Sequence, residues 1–502
     1  MKCRSTRAGT VFVFVCLALT GILSPRALAD WPSWAGPNGN FSSEASGVQL
    51  ADGFHLARKA WTAEENVGAG RYPTSFKSAA VKKGVPPGGC TTPIVYDGKV
   101  FVSYFVPSGD TYAKSVEVKD KSFLIEADDA MLAVDATTGK TLWKTSTPRS
   151  GLNIPMVKRA GWGPTPVTFD GKVFKITTLA EVVAYDAQTG KELWRGDLGA
   201  WHDKLVQIKK DLLKDPKSYY TGSDDFCPGM VVAQGVVVCP DFSTGLVGFD
   251  PATGKKLWHL NDVKGGICTP TVFRYKGKEY VVTSHQKKNA MHFIDPIAGK
   301  VLWAKEGIVH TGPIFCNDSV GIMVEGAAGG YEGRWAAYRL TPEGAERAWT
   351  LSDKYGPVVT SKDKGPRPHV AVSGKDVYIV HYLGGGAKGT LLRINADSGE
   401  VLAEMNEGVS GNTTPWVIED RIFLAIDLDH HGQSIMLDSK TLQPIGEKWN
   451  TGDTAASYEV TLILPYSKGF VYQRNEKGEL VGWDLRANAA PPEGAGPGRQ
   501  GQ

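Results

Sequence analysis

The densest cluster of side chains able to hold an ion is Asp427-Leu-Asp429-His430-His431. Two imidazoles beside two carboxylates form a donor set for a divalent cation if the backbone turns them toward one point. The ordinary reading of so polar a run is a solvated loop, and we read it so. Cysteine is the other reactive type. Of seven, Cys3 and Cys16 fall in the first 29 residues, leaving Cys90, Cys227, Cys239, Cys268 and Cys316. None forms a C-x-x-C pair, and the chain holds no Ser-His-Asp order, phosphate-cradling glycine loop or haem-attachment C-x-x-C-H. In an oxidising compartment an odd number leaves at least one thiol unpaired. Cys227 with Cys239 across one hairpin, and Cys227 with Cys268 between adjacent units, are both open pairings.

What must position these residues is a repeat. Val-Asp135-Ala-Thr-Thr-Gly139-Lys-Thr-Leu-Trp143 recurs with Asp186, Gly190 and Trp194, with Asp250, Gly254 and Trp258, and with Asp295, Gly299 and Trp303. Weaker copies run from Arg339 to Trp349, from Asn395 to Ala403 where alanine replaces the tryptophan, and from Asp438 to Trp449. A last copy opens at Trp483-Asp484 and stops. The eight units are about 50 residues apart, inside the period range of solenoids and propellers. Each reads as four short strands. A hydrophobic run reaches a tight turn (Asp97-Gly98, Asp170-Gly171, Lys276-Gly277), a β-rich run follows, a third strand ends at the aspartate, and the Thr-Gly-Lys turn leads into a strand carrying the tryptophan. Eight such units predict an all-β fold, an eight-bladed β-propeller of four-stranded antiparallel blades. The eighth unit lacks its tryptophan strand, and an orphan strand stands at the other end as Leu56-Ala-Arg-Lys-Ala-Trp61. We therefore expect residues 56–62 to complete the last blade.

Residues 1–29 read as a secretory signal. Lys2, Arg4 and Arg7 precede an apolar run from Val11 to Leu23, and Ala27-Leu-Ala29 forms the cleavage motif. No lipid-anchor cysteine stands at that point, so the expectation is a soluble periplasmic or secreted protein, cut near Ala29, with its propeller over 30–486 and a disordered Ala/Pro/Gly/Gln tail over 487–502. The formal charge of +3 belongs mostly to the leader, leaving the rest near neutral and nucleic acid excluded as a partner. A monomer is expected.

In a propeller the loops joining second to third strands share a face with those joining blade to blade. All the long insertions fall in these two classes: 107–122, 326–334, 384–389 and 427–433 in the first, 62–89 and 199–226 in the second. Insertions gathered on one face of a repeat protein commonly mark its binding surface. Counting back from the first-hairpin turns places Cys90, Gly163, Cys227, His310, Pro366 and Asn412 around the channel mouth on that face. Cys268 lies at or next to the equivalent place, with Trp162, Arg367 and His369 beside the ring. One helix is predicted over 202–216, where Leu205, Ile208, Leu212 and Leu213 form an apolar stripe and Pro216 ends it.

The Asp-x-x-Thr-Gly-Lys-x-x-Trp phrase resembles the tryptophan-docking repeat of the pyrroloquinoline quinone (PQQ) propellers, over roughly residues 56 to 486. The opening Asp30-Trp31-Pro-Ser-Trp34-Ala-Gly-Pro-Asn38-Gly is similar to that of secreted PQQ-like repeat proteins. The resemblance implies that Trp61, Trp143, Trp194, Trp258, Trp303 and Trp349 pack against neighbouring blades. It implies one of two functions. Quinoprotein dehydrogenases hold PQQ with calcium over the channel, between a tryptophan and a disulfide of adjacent cysteines. This chain has no adjacent cysteines, and no motif around Trp162 or Asn412 matches. The BamB-like branch is a non-catalytic scaffold. The expectation is accordingly a non-enzymatic propeller with no cofactor, binding an envelope or extracellular protein, or else a glycan, through its insertion-rich face. PQQ-dependent oxidation of alcohols or sugars is the alternative.

Overall fold

The repeated phrase folds on its own side chains. In the second unit Asp186 Oδ1 accepts from the N–H of Gln188 (3.1 Å), the N–H of Thr189 (2.8 Å) and the Thr189 hydroxyl (2.8 Å). Asp135, Asp250 and Asp438 make the same three bonds. This satisfies the turn's N–H groups locally and aims the chain back along the sheet. The Ala187 N–H then bonds to the Gly171 carbonyl at 2.9 Å, fastening the phrase to the first hairpin of its own unit. That hairpin has both central residues at positive φ, Asp170 at 49° and Gly171 at 70°, the geometry of a two-residue type I′ turn.

In the computed structural model, described over residues 30–43, 46–68, 87–89, 91–107, 116–117, 123–153, 165–211, 229–241, 243–264, 268–285, 289–308, 314–326, 332–359, 370–381, 389–409, 414–425, 433–450, 464–475 and 477–488, the units form eight antiparallel four-stranded blades of a β-propeller. Blade one is Ile94–Tyr96, Lys99–Pro107, Phe123–Asp135 and Thr141–Asn153; blade two is Val167–Phe169, Lys172–Ile176, Glu181–Asp186 and Glu192–Asp197. Blades three to seven repeat this order and end at the outer strands Lys256–Leu260, Lys300–Glu306, Gly344–Thr350, Val401–Val409 and Pro444–Asn450. Blade eight has Tyr466–Ser467, Phe470–Arg474 and Leu480–Asp484, and its outer strand is the N-terminal Arg58–Thr62, antiparallel to Leu480–Asp484.

The borrowed strand copies a detail of the native outer strands. In blades one to six their pairing slips by one residue beside the phrase, for example between Ala184 and Tyr185 or between Gly248 and Phe249. Arg58–Thr62 has the same slip between Lys59 and Trp61. A bulge re-aims the next side chain, and in each of these strands but that of blade six the side chain is the docking tryptophan.

Six tryptophans join six blade junctions. Each indole Nε1 donates to a carbonyl of the next blade: Trp61 to Ala136 (3.1 Å), Trp143 to Ala187 (3.1 Å), Trp194 to Pro251 (3.0 Å), Trp258 to Pro296 (2.7 Å), Trp303 to Thr341 (2.8 Å) and Trp349 to Ala396 (2.7 Å). The phrase's glycine is explained by the same contact. A Cβ on Gly190 would lie 2.6 Å from the Trp143 ring, and one on Gly139, 2.5 Å from Trp61.

The predicted helix forms over Ala200–Asp211, two residues earlier than its sequence pattern. Gly199 sets that start: its N–H bonds to Asp197 Oδ1 at 2.9 Å, and its carbonyl accepts from His202 N–H at 2.8 Å. Leu205 packs the helix on blades two and three. Leu212, Leu213 and Pro216 lie outside the described residues.

Candidate functional site

The two faces of the ring differ in what covers them. One face carries the first-hairpin and Thr-Gly turns, and across its centre runs the N-terminal segment 30–43, which the repeat pattern did not reveal. Its backbone carbonyls accept from the innermost strands of four blades: Trp31 from Val95 N–H (2.8 Å), Pro32 from Thr168 (3.0 Å), Asn40 from Val372 (3.0 Å) and Phe41 from Val417 (2.8 Å). Asp30 splits its carboxylate between blades one and eight, accepting from Asp97 N–H at 2.7 Å and the Ser467 hydroxyl at 2.8 Å. The Asn40 amide donates to the Cys316 carbonyl of blade five at 3.1 Å. Trp34 lies against Gly229 of blade three.

This segment is folded on itself as it crosses. Gly36 N–H bonds to Ser33 O, Gly39 N–H to Gly36 O and Phe41 N–H to Ala35 O, while Trp31 Nε1 donates to the Trp34 carbonyl. Trp31 and Phe41 are fully buried. Trp34 meets Phe41 edge-on at 4.8 Å, and Phe41 meets Phe315 of blade five at 5.0 Å. Apolar rings, not charge, close the plain end of the axis. The signal for this lay in Trp31, Trp34 and Phe41: three large aromatics directly after the predicted leader, in a stretch with no strand pattern to place them.

Ser42–Ser43 then adds a parallel strand to the inner edge of blade seven, and Ser46 bonds to Glu419 and Tyr466. Phe54 packs on blade seven, stacked on Trp449 with centroids 4.9 Å apart, and Trp449 in turn meets Trp483 of blade eight edge-on at 4.9 Å. After the borrowed strand the chain reaches the opposite face. There the buried Arg474 guanidinium donates to the carbonyls of Gly68 (2.8 Å), Val67 (2.5 Å) and Ser103 (3.4 Å) and to Thr91 Oγ1 (3.2 Å). The N-terminal strap thus grips the ring on both faces.

On this second face the strands of blade one outrun those of the other blades. Its third strand pairs with the fourth as far out as Ile125 with Asn153, and the short strand Val116–Glu117 adds beside it. In blade five the third strand likewise extends to take up Val358–Val359. The helix Ala200–Asp211 belongs to the same side. All the long connecting segments, between second and third strands or between blades, emerge here.

Of the sequence-derived candidates around the channel mouth, Cys268 is described. It is fully buried, its Sγ accepting from the Ser284 N–H (3.3 Å) and hydroxyl (3.4 Å), and burial pushes its thiol pKa up. Cys90, Trp162, Cys227, His310, Arg367, His369 and Asn412 lie outside the described residues, as do Asp427, Asp429, His430 and His431. Cys239, Cys268 and Cys316 are buried, and Cys239 and Cys316 are free thiols. The bridge from Cys227 to Cys239 is therefore not formed, since Cys239 is packed singly inside its blade. A quinone sandwiched against adjacent cysteines has no counterpart among these three.

Other titratable pairs are built into packing. Lys175 is buried at the junction of blades one and two, donating to the Ala130 carbonyl at 3.0 Å with Asp129 Oδ1 3.7 Å away, and burial lowers its pKa. His259 Nε2 meets Asp241 Oδ2 at 2.8 Å beside the helix start. Among the described residues no three His, Cys, Asp or Glu side chains converge as a metal site, and no helix is long and apolar enough to cross a membrane.

Solved structures resemble the chain at low identity. BamB from Moraxella catarrhalis is 14% identical, over 77% of this chain and 99% of that one, with a TM-score of 0.47. The computationally designed Ika8 protein is 14% identical over 74% and 96%, at 0.46. A europium-containing methanol dehydrogenase is 13% identical over 91% and 98%, at 0.40. Comparison with curated proteins finds no match. The family model described as outer membrane protein assembly factor BamB matches residues 127–307 and 228–445. With that match over more than half its length, and with the phrase, bulge and docked tryptophan of the repeat in place, the chain belongs to this family of PQQ-like β-propellers.

Proposed function

We propose that the chain is a non-catalytic scaffold, periplasmic or secreted, that binds an envelope or extracellular protein on its insertion-bearing face. The observation that supports this most is the asymmetry of the two faces. The plain face is closed at its centre by the chain's own residues 30–41, with Trp31 and Phe41 fully buried. The other face carries the extended strands of blade one, the helix Ala200–Asp211 and the long connections. Surface elaboration on one side of a rigid repeat is where recognition is built. The scaffold reading requires no cofactor.

Photo-crosslinking in cells that make the protein tests the reading directly. Crosslinkers at Thr147, Lys204 and Asp353, exposed on the insertion side, should capture one envelope protein; those at Thr137, Gln188 and Ser398, exposed on the plain side, should not. Capture from the plain side alone would overturn the face assignment. For the quinoprotein alternative, the purified protein is incubated with PQQ and calcium and assayed for dye-linked oxidation of alcohols and sugars. No turnover is expected, and sustained turnover would replace the scaffold reading with an enzyme.

A further inference from the structure

We propose that the plain-face end of the axis is a peptide-binding site, which this chain fills with its own residues 30–43. Its ligand class is a short peptide that begins with an acidic residue and a tryptophan and presents backbone carbonyls to the inner strands.

Three observations support a site rather than a mere terminus. First, the segment is held by main-chain bonds. The inner strands of blades one, two, six and seven donate N–H groups to Trp31, Pro32, Asn40 and Phe41 carbonyls, and Ser42–Ser43 continues as a parallel strand on blade seven. Main-chain bonds of this type give affinity, and side-chain pockets give selectivity. Second, the segment has side-chain anchors. Asp97 N–H and the Ser467 hydroxyl both point at the Asp30 carboxylate, and charge-assisted bonds of this sort are the strong ones. Trp31 and Trp34 supply the buried aromatic area that dominates peptide anchoring.

Third, the segment is separable from the ring. Its internal bonds, from Gly36 to Ser33, Gly39 to Gly36 and Phe41 to Ala35, fold it as a compact unit, which lowers the ordering cost of binding. The chain beyond it is held by contacts of its own. Ser46 bonds to Glu419, the Ala51 N–H to the Leu485 carbonyl, and Trp61 to Ala136. Blade eight stays complete without residues 30–43.

The experiment keeps the full chain and places a specific protease site between Ser43 and Ser46. After cleavage, a fluorescent peptide of residues 30–43 is added across a denaturant series that stops short of the ring's unfolding. Saturable uptake by the cut protein is expected, with competition by unlabelled peptide and none by the uncut chain. A Trp31→Ala peptide should bind at least about a hundredfold more weakly, and the cut protein should melt with the uncut one. No uptake at any denaturant concentration below the transition would overturn the proposal. So would a cut protein whose ring melts early, because the segment would then be part of the fold and not its ligand.

Discussion

Six blade junctions and two others solve the same packing problem differently. From blade eight through blade one to blade six, an indole N–H caps a carbonyl of the next blade's phrase, the one after its first residue except in blade five, where it is that of Thr341. At the junction of blades six and seven the tryptophan position is Ala403, and the equivalent carbonyl, that of Ser439, accepts from the Tyr378 hydroxyl at 3.1 Å. Arg393 adds a bond to the Lys440 carbonyl at 2.8 Å. Between blades seven and eight the carbonyl is that of Leu485, and it accepts from the backbone N–H of Ala51 at 2.7 Å. There Trp449 stacks on Phe54. The invariant is the buried carbonyl that must be satisfied. The tryptophan is one way of doing so, and where the repeat lapses, another side chain or the N-terminal strap takes over.

The largest expected effect comes from a docked junction. Trp143→Ala removes a buried indole and strands the Ala187 carbonyl, and thermal or urea unfolding should show a loss of about 3–5 kcal/mol. Phe54→Ala should cost nearly as much, about 3 kcal/mol, if the strap is to the seam what tryptophan is to the other junctions. A cost near zero would show that the seam closes without it. Gly190→Ala pushes a methyl against the Trp143 ring from a residue at φ 71°, and crowding of this kind costs about 1–3 kcal/mol. Tyr378→Phe removes one donor and keeps the ring, so about 1 kcal/mol is expected at the weaker junction. Burial pushes the Tyr378 phenol up to about 12, so the hydroxyl stays a donor throughout the neutral range, and the difference between Tyr378→Phe and the parent should not vary from pH 6 to 9.

The smallest effect concerns the phrase itself. The Thr189 hydroxyl and N–H hold the Asp186 carboxyl below the usual carboxylate range, and the Thr253 hydroxyl does the same for Asp250. A depressed carboxylate adds stability above its unfolded pKa and loses it as pH falls through the folded value. Acid unfolding should therefore begin only below about pH 4 at these turns. Asp186→Asn keeps the acceptor, as Asn395 does naturally in blade six. It should change stability at pH 7 by less than about 0.5 kcal/mol and make the acid limb shallower.

The repeat was legible because its residues act locally. Asp186, Thr189 and Gly190 build one turn, and Trp143 meets that turn one period away, so spacing alone announces blade count and closure by Trp61. The replacement at Ala403 was visible only as a gap, because Tyr378 reaches Ser439 from a strand that obeys its own alternation. The axial segment was illegible for a related reason. Trp31 and Phe41 find partners at Val95 and Val417, in contacts with no period, so their burial follows from the ring's geometry and not from neighbouring sequence. The helix start moved to Ala200 because Asp197 and Gly199, which carry no apolar stripe, set it.

The central claim is that residues from the chain's beginning seal the ring at the seam of its last blades. Amide hydrogen exchange of Arg58–Thr62 tests it most directly. If the strand is integral, its amides exchange only with global unfolding, at the rate of Leu480–Asp484 and of the outer strand Glu192–Asp197. If they exchange orders of magnitude faster while blade two stays protected, the strand is a loose appendage and the ring closes by some other means.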